Sequence, residues 1–158
     1  MTFIKTVYIP IGINCASTYY LIERNLRRQA FPFDWMYTSL PMIQHCLETR
    51  FQKFLDQNDI TGINSHQSSH KYYDSIVFPF SYEKEHEHIF AHHNLSQTKT
   101  YDKFKQRCQR LLDIIDNPTI HKVFVYMDFQ MPTYMDTFQC FINTSIDNCE
   151  IESIIVPR

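Results

Sequence analysis

The stretch Ile9-Pro10-Ile11-Gly12-Ile13-Asn14-Cys15 decides the reading of this chain. The run from Phe3 to Ile11 places Ile4, Val7, Ile9 and Ile11 in a β-branched, near-continuous apolar segment. Such a segment reads as a central strand buried on both faces, and it ends at Gly12. From Ala16 to about Arg28, Tyr19, Tyr20, Ile22 and Leu26 alternate with Glu23, Arg24, Arg27 and Arg28 at helical spacing, with a basic last turn that suits the helix dipole. Cys15 therefore falls at a strand-to-helix junction. Gly12 and Gly62 are the only glycines, so each should mark a place where the backbone needs positive φ or close approach.

Outward from that junction, Phe31-Pro32-Phe33-Asp34-Trp35 reads as a rigid aromatic turn, and Ser39 with Pro41 opens a second helix. Residues 57–69 are polar and turn-rich and read as a loop, and a strand is expected at about Ser75 to Pro79. Thr100 to Asp116 carries Tyr101, Phe104, Cys108, Leu111, Leu112 and Ile115 at helical spacing before Pro118. Lys122 to Met127 reads as a strand, Thr133 to Asn143 as a helix and Glu150 to Val156 as a last strand. The order β-α-α-β-α-β-α-β predicts one α/β domain over residues 1–158: a three-layer, open, mostly parallel, Rossmann-like sheet with helices on both faces.

Composition narrows the function. The 158 residues suffice for one core, and 44% hydrophobic with 15% aromatic residues argue against disorder. A net charge of −2 with scattered Lys and Arg supplies no field for a nucleic acid. No run approaches the ~20 apolar residues of a membrane span, and the N-terminus lacks a signal-peptide pattern, so the expected compartment is the cytoplasm. Five cysteines without a C-x-x-C pair fit neither a disulfide framework nor a structural zinc site and read as reduced thiols.

A side chain at the end of a strand and the start of a helix points into the crevice at the carboxyl edge of a parallel sheet. There the first-turn N–H groups favour an anion and lower the pKa of a thiol. This singles out Cys15 as a nucleophile that should be activated above Cys46 and Cys108, both on apolar helix faces. The plain alternative is a small buried hydrophobe. The second constellation is His86, His88, His92 and His93, the last followed by Asn94. His93 can serve Cys15 as base with Asn94 orienting its ring. Alternatively the cluster binds a divalent metal, or it is a solvated loop. Asp34, between Phe33 and Trp35, must find partners such as backbone N–H groups, an Arg or a His, and Trp35 should be largely buried beside the helix that follows Cys15. Arg107 and Arg110 share a helix face and can clamp an anionic group.

The segments Gly12-Ile13-Asn14-Cys15, Leu21 to Arg28, Phe31-Pro32-Phe33-Asp34-Trp35, His93-Asn94, Tyr101 and Arg107 to Leu112, in that order, resemble the papain-like cysteine peptidase family of unknown function. That family has Gly-x-Asn-Cys, Leu-Arg-Arg, Pro-Phe-Asp-Trp, a His-Asp pair and an Arg-Arg helix. Asn94 stands where the family has Asp, and Gln106-Arg107 where it has Arg-Arg. If Phe78-Pro79-Phe80-Ser81 takes the place of the aromatic motif, the catalytic His is missing. The resemblance implies Cys15 as nucleophile and His93 as its partner. The expected activity is that of a cysteine-dependent hydrolase or acyl-group transferase, with N–H groups near Asn14 to Ser17 and the Asn14 amide holding the oxyanion. Gly12, Ser17, Asp34, Trp35 and Arg107 are the expected substrate-binding residues. This chemistry calls for no cofactor, and its substrate is a small molecule, a peptide or a glycan-linked group. The competing classes are a binding module on the same fold and a metal-binding domain built on the His cluster.

Overall fold

The computed structural model describes residues 5–77 and 88–157. The strands expected around Val7, Val123 and Ile151 form as β1 (Lys5–Pro10), β4 (Ile120–Asp128) and β5 (Cys149–Ile155). They make a parallel sheet in the order β1-β4-β5, with Ile9 opposite Phe124 and Phe124 opposite Ile151. Among the described residues β4, not β1, is the central strand. β4 is the one whose residues Val123 to Tyr126 are all buried. The apolar run in β1 reflects burial on two faces, which an edge strand covered by helices also has.

Alternation along the strands sends residues to two faces. Val7, Ile9, Ile11, Phe124, Tyr126 and Ile151 join the large core with α2 (Leu40–Glu48), α4 (Thr98–Ile115) and α5 (Met135–Ser145). Val123 and Val125 pack with Tyr8 and Ile154 against Leu21 of α1 (Ala16–Glu23). Lys122, on the face of Phe124 by the same alternation, is buried with its Nζ donating to the carbonyls of Asn117 and Asp147 at 2.7 Å each.

Helix α1 stops at Glu23, short of the expected Arg28. Asn25 takes φ 57°, and the N–H groups of Asn25 and Leu26 donate to the carbonyls of Ile22 and Leu21. This is the left-handed helix stop in which a short polar side chain substitutes for glycine. Ser39 caps α2, its Oγ accepting from Met42 N–H at 3.3 Å.

Two expectations fail between α2 and α4. Residues 57–69 are not a plain loop: after a short 3₁₀ turn they form an antiparallel ribbon, β2 (Ile60–Asn64) with β3 (Gln67–His70). The largely polar ribbon hides the apolar alternation by which strands are recognised. Ser75 to Val77, expected as strand, belong to helix α3 (Lys71–Val77), which buries Tyr73 and Val77 at helical spacing. The rest of that expected strand, Phe78 and Pro79, lies outside the described residues.

Candidate active site

Cys15 is half-buried at the head of α1, just past the carboxyl end of β1. The chain between them is tight. A Cβ at Gly12 would meet Ser17 Oγ at 2.1 Å, so this glycine serves close approach, and its φ is not positive. Asn14 Oδ1 accepts from Ala16 N–H at 2.9 Å, which starts the helix and uses the Ala16 donor. Ser17 is fully buried over Gly12, and its Oγ has no partner.

The aromatic turn docks onto this junction. Thr38 donates its N–H to the Ile13 carbonyl at 3.1 Å and its hydroxyl to the Gly12 carbonyl. Asp34 is fully buried and accepts from Thr18 Oγ1 at 2.9 Å, from Phe31 N–H at 2.7 Å and from Arg27 Nη2 at 3.4 Å. Its partners are thus a backbone N–H and an Arg, as expected, with no histidine among them. Trp35 is only half-buried, short of the burial expected. It adopts φ 61° and meets Tyr19 of α1 edge-on at 4.9 Å between ring centroids. The left-handed conformation costs a bulky residue about 1–2 kcal/mol and persists because Asp34 and Thr38 fix the turn on both sides.

His93 is held by backbone and ring contacts. Ser68 of β3 accepts from Leu95 N–H at 3.0 Å and donates to the His93 carbonyl at 2.8 Å. The imidazole packs against Phe104 of α4, 5.0 Å between centroids, and its buried Nε2 has no partner. Burial first, then the charge of Arg107, pushes its pKa down to about 4. Asn94 is committed elsewhere: its amide nitrogen donates to the Asn64 carbonyl, and its oxygen accepts from Ser96 N–H and Oγ. It acts as a loop brace against β2, where Gly62 leaves the room it needs, rather than as an orienter of the His93 ring.

Arg107 places its guanidinium over Phe104, 4.8 Å from the ring centroid, and lies within electrostatic range of Asp34, Arg27 and Arg110. Asp34 in turn acts on both Arg107 and Cys15. Cys15 and Arg107 thus both feel the buried Asp34 carboxylate, while His93 feels Arg107 and rests with it on the Phe104 ring. The expected activation of Cys15 is not there: burial raises its thiol pKa, Asp34 adds to the rise, and its own N–H only partly offsets them.

The His cluster disperses. His88 Nδ1 lies 3.2 Å from Asp74 Oδ2, His92 is exposed, and His93 faces Phe104. His86, like Phe78 to Ser81, lies outside the described residues. Among the described residues no three His, Cys, Asp or Glu side chains are placed to hold a metal ion.

The profile of a family described as "Putative papain-like cysteine peptidase" matches residues 6–145. The chain belongs to that family. No curated protein and no solved structure matches it. The papain-like peptidase match runs through Cys15, the aromatic turn, His93 and Arg107 alike. Reading residues one by one missed Thr18, Arg27, Thr38 and Ser68, which position these side chains. Arg27 had a signal, the basic run Arg24 to Arg28, but that run also reads as the end of a longer helix; the others had none. No described residue range forms a helix long and apolar enough to cross a membrane.

Proposed function

We propose that this chain is a cysteine-dependent hydrolase or acyl-group transferase in which Cys15 takes the acyl group of the substrate. One observation carries the reading: a half-exposed thiol sits at the strand-to-helix junction within electrostatic range of Asp34, and a neutral His93, within range of Arg107, keeps an Nε2 without a partner. A neutral imidazole with a free nitrogen is the form that accepts a proton. Cys15 Sγ attacks the carbonyl carbon and its proton passes to His93 Nε2. As the bond to the leaving group breaks, that proton moves to the leaving group. Water, or an acceptor hydroxyl or amine, then takes the acyl group from sulfur. The N–H of Ser17 and the amide nitrogen of Asn14 are the donors nearest in sequence for the oxyanion, since Ala16 N–H is already used.

The substrate class is a small molecule, a peptide or a glycan-linked acyl group. The three-stranded sheet with α1 on one face and α2, α4 and α5 on the other reads as a reduced Rossmann-like layer arrangement, with Cys15 at its carboxyl edge. Five free cysteines suit the cytoplasm. A second reading, a binding module on the same fold, is favoured by the raised Cys15 pKa, which leaves little thiolate at neutral pH.

Incubation with p-nitrophenyl acetate followed by peptide mapping separates the two. Acetylation of Cys15 that is absent in Cys15→Ser and slowed about a hundredfold in His93→Ala supports the enzyme. Equal modification of Cys15→Ser and wild type supports the binding module.

A further inference from the structure

The unpartnered donors around Asp34 carry one more step. Arg27 donates to Asp34, and Arg107 lies within electrostatic range of Asp34, Arg27 and Arg110. The carboxylate is already occupied by Thr18, Phe31 N–H and Arg27, and Arg110 is spent on the Ala30 carbonyl at 2.6 Å. What remains are Nε of Arg27 and Nη1 of Arg107, both buried and without an acceptor, and the equally orphaned Nε2 of His93. Buried guanidinium donors are seldom left unmade, because each has lost water and gained nothing in return. Two such guanidinium donors, both acting on Asp34, leave an acceptor wanting. Guanidinium forks match the oxyanions of carboxylates and phosphates.

We infer that Arg27 and Arg107 form, beside His93, a recognition site for an oxyanion, a carboxylate or phosphate carried by the substrate. This inference rests on the reading of Cys15 as the acylated residue only in assigning the oxyanion to the substrate. It also explains how a histidine in so basic a setting can act. Burial first, then Arg107, His92 and Lys103, disfavours its protonation, and an anion seated beside Arg107 offsets the charge part of that effect. Substrate binding thus raises the basicity of the group that must take the thiol proton. A neutral acyl compound lacks this effect, so anionic substrates are selected in the chemical step as well as in binding.

The test uses the full chain carrying Cys15→Ser, which removes the acylated residue and leaves the arginines in place. Inorganic phosphate and acetate are titrated separately while the His93 ring signals are followed by NMR. Saturable movement of the His93 signals is expected with at least one of them, weakened tenfold or more by Arg107→Gln and less by Arg107→Lys. Arg27→Gln supplies a second variant should Arg107→Gln not fold. Tighter binding of phosphate than of acetate assigns a phosphoryl group, and the reverse assigns a carboxylate. No movement with either anion, or equal affinity in folded Arg107→Gln and Arg27→Gln, overturns the inference. Because the probe is binding to Cys15→Ser, failure here is distinguishable from failure of acylation. In the wild type, the rate of Cys15 alkylation by iodoacetate relative to iodoacetamide should fall about tenfold in Arg107→Gln. An unchanged ratio counts against the site.

Discussion

The hydroxyl of Thr18 donates to Asp34 across 2.9 Å, tying the first turn of the helix behind Cys15 to the carboxylate of the aromatic turn. This bond joins two motifs, sixteen residues apart, that the sequence leaves separate. It also puts a negative charge near the thiol, which opposes the helix N-terminus there. Asp34 thus holds the site together at the expense of the thiolate.

Removing one end of that network should be much worse than removing the other. Asp34→Asn leaves Arg27 without its carboxylate and is expected to cost about 3 kcal/mol, the usual result of breaking a buried pair from one side. Thr18→Val removes one neutral donor and should cost about 1 kcal/mol. Urea unfolding of both variants checks the order; equal losses would mean that Arg27 does not depend on Asp34.

Because burial raises the Cys15 thiol pKa, alkylation in the ligand-free protein should keep accelerating as pH rises past the ordinary thiol range. Cys46, whose pKa is pushed up to about 12 by burial, and buried Cys108 should label only on unfolding. Peptide-resolved iodoacetamide rates from pH 6 to 10 measure this. A plateau for Cys15 below pH 7 would show the activated thiolate that the position at a helix start alone suggests.

His93 should make the protein sensitive to mild acid. Its folded pKa of about 4 lies below the ordinary histidine value, so the unfolded chain binds more protons between the two. The associated stability is complete above pH 6.5 and is lost as pH falls towards 4. The loss is on the order of 2 kcal/mol after allowance for the ring's partial exposure. His93→Gln should flatten that slope in denaturation measured at pH 4.5, 5.5 and 7. His70, lowered in the same direction by burial, remains in the variant as a background.

Gly12→Ala should destabilise by about 2 kcal/mol, because its Cβ would collide with Ser17 Oγ. Ser17→Ala alone should be close to neutral, since that hydroxyl has no partner. In Gly12→Ala with Ser17→Ala, part of the loss should return, with Ser17 Cβ at 3.1 Å limiting the recovery. A double-mutant cycle by thermal unfolding reads the coupling; strict additivity would place the strain elsewhere.

Much of this was legible from residue order. The β-branched runs in Val7 to Ile11 and Val123 to Val125, the capped helix at Ser39 and the long periodic helix through Phe104 and Leu111 each announce themselves by local periodicity. The polar ribbon around Gly62 and the helix at Tyr73 did not. Their stability comes from neighbours such as Asn94, Phe54 and Phe90 rather than from their own pattern.

The sequence by itself determined the parallel strands, the placement of Cys15 between a strand and a helix, and membership in its family, because these depend on periodicity and on motifs read along the chain. Only the tertiary structure decided what surrounds those residues. Whether a thiol at a helix start becomes a thiolate depends on burial and on an Asp34 brought in by Thr18, and whether Asn94 orients a histidine depends on Asn64 and Ser96 claiming it first. Charge and hydrogen-bond partners act through space over a few ångströms, and separation along the chain carries no record of that distance.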